Sequence, residues 1–266
     1  EPPHFGAQAT LGGTIAAGLS GPRRPYSGAA RDFVLGTRIL NGRGESLHFG
    51  GQVMKNVAGY DLSRLMVGAM GTLGVLLEVS LKVLPRPALE ATLVQEIDQA
   101  QAIRRMNELA GRPLPLSAAY WEEDRLYLRL SGAGSAVAAA QAKIGGEALD
   151  STNLWQQLRE LQTDFLAHAT TLWRISLPPA TPPLDLPGAA AIDWGGAQRW
   201  LAGEADPRII RAAAESAGGH ATLFRGNGQA PRIHPLPDAL MGIHRRLKQA
   251  LDPAGILNPG RLYPDL

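Results

Sequence analysis

The residues most open to chemical use sit in two glycine-rich stretches, LGGTIAAGLSG at 11–21 and GAMGTLG at 68–74. Ordering glycine costs backbone entropy, so such density has a reason. One reason is tight turns. The other is backbone N–H groups brought close to a phosphate or a planar cofactor. Gly12-Gly13-Thr14 and then Ala16-Ala17-Gly18 clear side chains from one short path, as a pyrophosphate on exposed amides requires. Arg23, Arg24 and Arg31 either face anions there or line a solvated loop. Other chemistries are poorly served. Ser20 lies in Gly-Leu-Ser-Gly, which is not the G-x-S-x-G turn of a nucleophile elbow. His4, His48, His168, His220, His234 and His244 show no H-x-H or H-E-x-x-H spacing, so no metal site is expected. His234 and His244 could meet only through the fold. No P-loop is present, and no G-x-G-x-x-G stands between a strand and a helix. The chain has no cysteine, which excludes disulfides, thiolate zinc and Fe–S ligation by its own residues. What remains is a nucleotide-like or flavin-like cofactor.

The elements that must position these stretches are legible from period and punctuation. Residues 33–40 and 45–49 read as a hairpin about Asn41-Gly42-Arg43-Gly44, and 60–67 as a short helix. Over 75–84 the sequence alternates, with Val75, Leu77, Val79, Leu81 and Val83 on one face, which predicts a half-buried strand. Pro85-Arg86-Pro87 closes a first domain at 1–87. A second domain is expected over 88–235. Its strands are 91–97, 117–121, 125–131, 171–177, 189–194, 197–202 and 220–225; its helices are 99–110, 134–143, 151–166 and 206–217. That mixture predicts an α+β domain with an antiparallel sheet and helices on one face. A last segment, 236–266, holds a helix over 238–251 with Asp238 as its cap, followed by DPAGILNPGRLYPDL. A rigid Asn-Pro-Gly turn so near a terminus is unusual, because tails commonly lose order.

Length and composition agree with this division: 266 residues suggest about two domains. With 45% hydrophobic and 19% charged residues the chain is globular rather than disordered. A net charge of +2 does not point to nucleic acid, and no run of 18 apolar residues suits a membrane span. No basic segment followed by an apolar run opens the sequence, so no leader is expected.

Three separated motifs carry a family resemblance. GGTIAAGLSGPRRPYSGAARDFVLGTRIL and VMKNVAGYDLSRLMVGAMGTLGVLLEVSLKVLPRP resemble the second half of the FAD-binding (PCMH-type) domain of vanillyl-alcohol-oxidase-type flavoproteins. DPAGILNPGR resembles their C-terminal segment. More narrowly, GLSGPRRPYSG and DWGGAQRWL are similar to the FAD-binding subunits of bacterial glycolate oxidases. The resemblance implies an α+β fold, the second half of that FAD-binding domain joined to an α+β cap with an antiparallel sheet. It implies FAD as cofactor. Gly12, Gly13 and Thr14 would lie near the pyrophosphate or ribityl chain, and Ala16, Ala17, Gly18 and Gly21 along the flavin. Tyr26, Gly28 and Asp32 would continue that wall. Gly71, Gly74 and Val75 would meet the flavin from the other side, and Asn258 and Gly260 would return the tail to it.

The same resemblance implies a subunit that supports oxidation of glycolate to glyoxylate by electron relay or assembly. Its partners would be a catalytic flavoprotein subunit and an Fe–S subunit, in the cytoplasm, at the inner face of the plasma membrane. A self-sufficient 2-hydroxy-acid dehydrogenase and a flavin-free structural subunit stay open. Three departures bear on the choice. Family members carry a further FAD subdomain ahead of the stretch that matches EPPHFGAQATLGG. Met70 stands where many relatives have Glu. In AGGHATLFRGNG, residues 217–228, His220 is alone where catalytic relatives have H-G-H-x-G-D-G-N, although Arg225, Arg232 and His234 could bind a carboxylate.

Overall fold

The computed structural model describes residues 1–52, 59–150, 153–227 and 231–266. In chain order its elements are α1 (Leu11–Ala17), α2 (Arg24–Ser27), β1 (Val34–Leu40), β2 (Ser46–Gly50), α3 (Leu62–Leu65), β3 (Val75–Leu81), β4 (Leu89–Glu96), α4 (Gln99–Ala110), β5 (Leu116–Glu122), β6 (Arg125–Gly132), α5 (Gly134–Ile144), β7 (Glu147–Leu149), α6 (Leu154–Arg159), α7 (Asp164–His168), β8 (Leu172–Ser176), β9 (Ala189–Asp193), β10 (Gln198–Ala202), α8 (Pro207–Ser216), β11 (His220–Arg225) and α9 (Asp238–Leu251). They form two units. The first joins Glu1–Gly21, Gly28–Leu84 and Pro235–Leu266; the second joins Pro22–Ser27 and Pro85–His234.

In the first unit a three-stranded antiparallel sheet runs β2-β1-β3. Its core is Ile39, Met66, Ala69 and Leu73, with Leu47, Phe49, Leu76 and Leu251 packed around them. The β1–β2 turn is held by Asn41, whose Oδ1 accepts from the amides of Arg43 and Glu45, both at 2.9 Å. The alternation of β3 holds at Val79 and Leu81, which are half-buried while Glu78 is exposed, and slips by one residue at Leu77. Leu76, opposite Ile39, faces the core, while Val75 and Leu77 stand 49% and 44% exposed. The cause is a register shift against β1 between Arg38 and Ile39: Arg38 pairs with Glu78 but Ile39 with Leu76, so Leu77 is an extra residue and Leu76 takes the core-facing place.

The glycine stretch is a helix rather than a turn. Two glycines in seven residues oppose α1 by about 1 kcal/mol each relative to alanine. Thr10 offsets this at one end, its hydroxyl accepting from the Gly13 amide at 3.0 Å. Gly18, left-handed at φ 63°, closes the other end, and buried Ile15 anchors the helix.

The second unit is an eight-stranded sheet, β11-β8-β10-β9-β5-β6-β4-β7, antiparallel at every pairing. Helices were expected on one face, but both faces are covered. Leu126, Leu128 and Leu130 of β6, with Ala119 and Trp121 of β5, pack against Ile103 and Met106 of α4 and Val137 of α5. Ala118 and Tyr120, the intervening β5 positions, pack against Trp155 and Leu158 of α6 and Leu166 of α7. A strand buried on both sides reads as LSAAYW, nearly continuous in small and apolar residues. Ile210 and Ala214 of α8 cover Trp173 and Ile175 of β8. Within the helix expected over 151–166, α6 and α7 are separate, with left-handed Leu161 (φ 56°) between them; residues 151 and 152 lie outside the described residues. The N-cap of α9 is Pro237, with Asp238 as its first helical residue.

Candidate functional site

Three segments of the first unit meet at the C-terminal end of α1. The Ile15 carbonyl accepts from the Gly68 amide at 3.2 Å, and the Ala16 carbonyl from the Met70 amide at 2.9 Å. Gly18 and Gly68 cross with their backbones touching, because a Cβ on Gly18 would stand 2.6 Å from the Gly68 Cα. The tail closes the set: Asn258 Nδ2 donates to the Met70 carbonyl at 2.7 Å. A Cβ on Gly71 would stand 2.8 Å from that same nitrogen. Met70 (φ 54°), Gly71 (φ 72°) and Asn258 (φ 41°) are all left-handed at this junction. For the two that are not glycine this conformation costs about 1–3 kcal/mol each, and such strain collects at functional sites.

The tail is tied down by a buried ion pair. Lys248 Nζ on α9 donates to Asp252 Oδ2 at 2.7 Å, to the Thr72 carbonyl at 2.9 Å and to the Leu257 carbonyl at 2.6 Å. Asp252 also accepts from the amides of Ile256 and Leu257, at 3.2 and 2.8 Å. Burial alone would raise the Asp252 pKa, but the lysine and the two amides outweigh it and hold the carboxyl below its ordinary value.

The structure thus brings together Gly12, Gly13, Thr14, Ala16, Ala17, Gly18, Gly71 and Asn258. Gly12 packs loosely: a Cβ there would meet only Leu76, at 3.9 Å. Thr14 turns its hydroxyl back to the Thr10 carbonyl at 3.1 Å. Gly21 is buried at the end of its segment. Gly74 answers to the core, since a Cβ there would come within 2.8 Å of Ile39. Val75 follows it on the exposed edge of β3. Asp32 is engaged locally, its Oδ2 accepting from the Ala29 amide at 2.8 Å beside left-handed Gly28. Gly260 is left-handed with open space around it. Lys248, Asp252 and Thr10 escaped the sequence reading. For Thr10 the signal was present, a cap residue three positions ahead of a helical amide; for the ion pair, only an i, i+4 spacing among other charges.

Residues 236–262 match the family described as FAD linked oxidases, C-terminal domain. The whole chain is 53% identical to glycolate oxidase subunit GlcE of Escherichia coli (strain K12), covering 75% of that protein. The chain belongs to the GlcE family of glycolate oxidase subunits. Over 44% of its length it is also 33% identical to glycolate oxidase subunit GlcD of Bacillus subtilis, covering 25% of that protein. Among solved structures, alkyldihydroxyacetonephosphate synthase superposes over 98% of the chain with a TM-score of 0.63. At 15% identity that likeness shows the fold alone, and the chain spans 60% of that structure.

The second unit of this GlcE-family chain holds the remaining site candidates. Tyr26 packs against the core cluster of the second unit, and its buried hydroxyl has no hydrogen-bond partner among the described residues. Burial, then the charge of Asp193, pushes its pKa well up. Asp193 is itself buried, which raises its carboxyl to about 7 against the opposing pull of the Trp194 amide and Arg129. Arg23 pairs with Glu90, and Arg24 lies 4.2 Å over the Trp194 ring, so both engage groups within this unit. Arg225 Nη1 donates to the carbonyls of Leu166, Ala167 and Ala169, and Arg232 to that of Gly226. His234 lies 3.0 Å from Glu215 and packs edge-on to His220, with ring centroids 6.2 Å apart. Among the described residues no group of three His, Asp or Glu side chains could hold a metal. In the 217–228 stretch, residue 228 lies outside the described residues.

Proposed function

We propose that this chain binds FAD on its first unit and serves as the GlcE-type subunit of a glycolate oxidase complex, in support of the oxidation of glycolate to glyoxylate. The observation that carries the reading is the bare side of α1. Gly12 weakens the helix and the packing of the protein itself does not require it, which fits backbone meeting a ligand at close range. The neighbouring residues suit such a group. Ala16, Ala17 and Gly71 are small and half-buried, and Leu11 and Val75 are exposed and apolar, as a flat ring system needs. FAD supplies the redox chemistry when bound. The chain's own residues bind and orient: α1 offers a wall free of bulky side chains, the 70–71 turn offers a left-handed backbone, and Asn258 fixes that turn. The partners would be a GlcD-type catalytic flavoprotein and an Fe–S subunit, with the complex on the cytoplasmic side of the plasma membrane. No helix among the described residues is long and apolar enough to cross a membrane.

The exposed apolar row Val75 and Leu77 on an edge strand favours assembly as a second part of the role. The test is the visible spectrum of the purified chain after desalting from added FAD. Retained flavin bands near roughly 370 and 450 nm support the reading. A folded, colourless chain overturns flavin binding and leaves assembly. Bleaching by glycolate alone would assign catalysis to this chain rather than relay.

A further inference from the structure

The ion pair on α9 does more than end a helix. Lys248 is 8% exposed and Asp252 1% exposed. Burying two charges is expensive, and a pair in such a place is weak evidence of gain in stability over an apolar alternative. Its geometry is that of a splice. The ammonium group has three oxygen acceptors within 2.9 Å, one on each of three segments: Thr72 in the 68–74 loop, Asp252 at the end of α9, and Leu257 in the tail. Asp252 reaches a fourth segment, because a Cβ on Gly42 in the β1–β2 turn would collide with it and the Gly42 amide donates to the Leu251 carbonyl at 2.9 Å. Leu257 immediately precedes Asn258, and Thr72 immediately follows Gly71. The lysine therefore fixes both sides of the Asn258–Met70 contact at once.

We propose that Lys248 and Asp252 are positioning residues which hold Asn258 against the Met70–Gly71 turn and thereby set one wall of the cofactor site. The positioning towards flavin rests on the function proposed above; the splice itself does not. Two left-handed residues without the freedom of glycine, Met70 and Asn258, meet here, and strain of that kind persists only where the surroundings over-determine it. A buried ammonium with three fixed acceptors is such a surrounding.

The test uses the full chain, with hydrogen exchange at the amides of Gly68, Met70 and Thr72, all hydrogen-bonded, and FAD titration followed by flavin fluorescence. Lys248→Met combined with Asp252→Asn removes the pair without leaving one buried charge. Exchange at those amides should rise, and FAD should bind about tenfold more weakly, as for loss of one hydrogen bond to a charged group. Asn258→Ala should weaken FAD similarly, and all three changes together no more than either alone, since they break one device. Unchanged exchange at Gly68, Met70 and Thr72 overturns the proposal, as does multiplication of the two affinity losses in the triple variant. If the paired variant does not fold, Asp252→Asn alone, which leaves the lysine its carbonyl acceptors, decides by the same exchange readout. A wild-type chain that takes no FAD sinks the proposed function while the exchange result still judges the splice.

Discussion

Gly18 shows how little room single residues have in this site. Its φ of 63° suits glycine, and its Cα hydrogen faces the Gly68 backbone, where a Cβ would stand 2.6 Å away. Conformation and contact both forbid a side chain. Gly18→Ala should therefore destabilise the first unit by roughly 1–3 kcal/mol, through left-handed strain and a forced shift of the crossing strand. Gly12→Ala should do the opposite. It meets only Leu76, at 3.9 Å, and gains helix propensity of about 1 kcal/mol. Chemical denaturation of the two variants checks this, and equal losses at both positions would contradict it. If the proposed function holds, the stabler Gly12→Ala chain binds FAD less well, which is the mark of a glycine kept for a ligand.

Among the elements, β9 carries the clearest pH signature. Asp193 ends that strand, buried, with its carboxyl raised to about 7 from an ordinary value near 3.8. The native state thus holds a proton that the unfolded chain releases across this interval. Stability is full below the unfolded value and declines as pH rises towards about 7. Asp193→Asn should remove that slope, so that wild type and variant differ by a few kcal/mol more at neutral pH than at pH about 4. Denaturant midpoints at the two pH values measure it, and parallel curves would refute it. The strands were open to sequence reading because apolar pattern and turn residues act locally: 116–122 stands out as a continuous small and apolar run, 125–132 by its apolar alternation, with Glu-Asp between them. α1 was hidden by its two glycines, whose propensity argues for a loop until Thr10 and Gly18 are seen as caps. The slip at Leu77 in β3 could not be read either, since Leu76 and Leu77 are equally apolar and only the pairing with Ile39 across the sheet separates them. The Lys248 contacts to Thr72 and Leu257 join segments far apart in the chain or across a turn, and no period encodes them.

At the scale of the whole molecule the two units have separate cores, and the aromatic residues divide unevenly between them. All five tryptophans, Trp121, Trp155, Trp173, Trp194 and Trp200, belong to the second unit. Tryptophan fluorescence therefore follows the unfolding of that unit, while calorimetry registers both. Every expected cofactor residue except Tyr26 belongs to the first unit. A ligand stabilises what it binds, by about 2.7 kcal/mol at a hundredfold excess over its dissociation constant. If FAD binds where proposed, it should move the calorimetric transition that is silent in tryptophan emission by several degrees and leave the fluorescence-detected one in place. A shift confined to the fluorescent transition would move the cofactor to the Tyr26–Asp193 side, against the site described here. The same scan with Lys248→Met and Asp252→Asn should lose about half of the FAD-induced shift, since tenfold weaker binding leaves about 1.4 kcal/mol at the same FAD concentration; a tail no longer spliced to the 68–74 loop cannot present Asn258 in a fixed place.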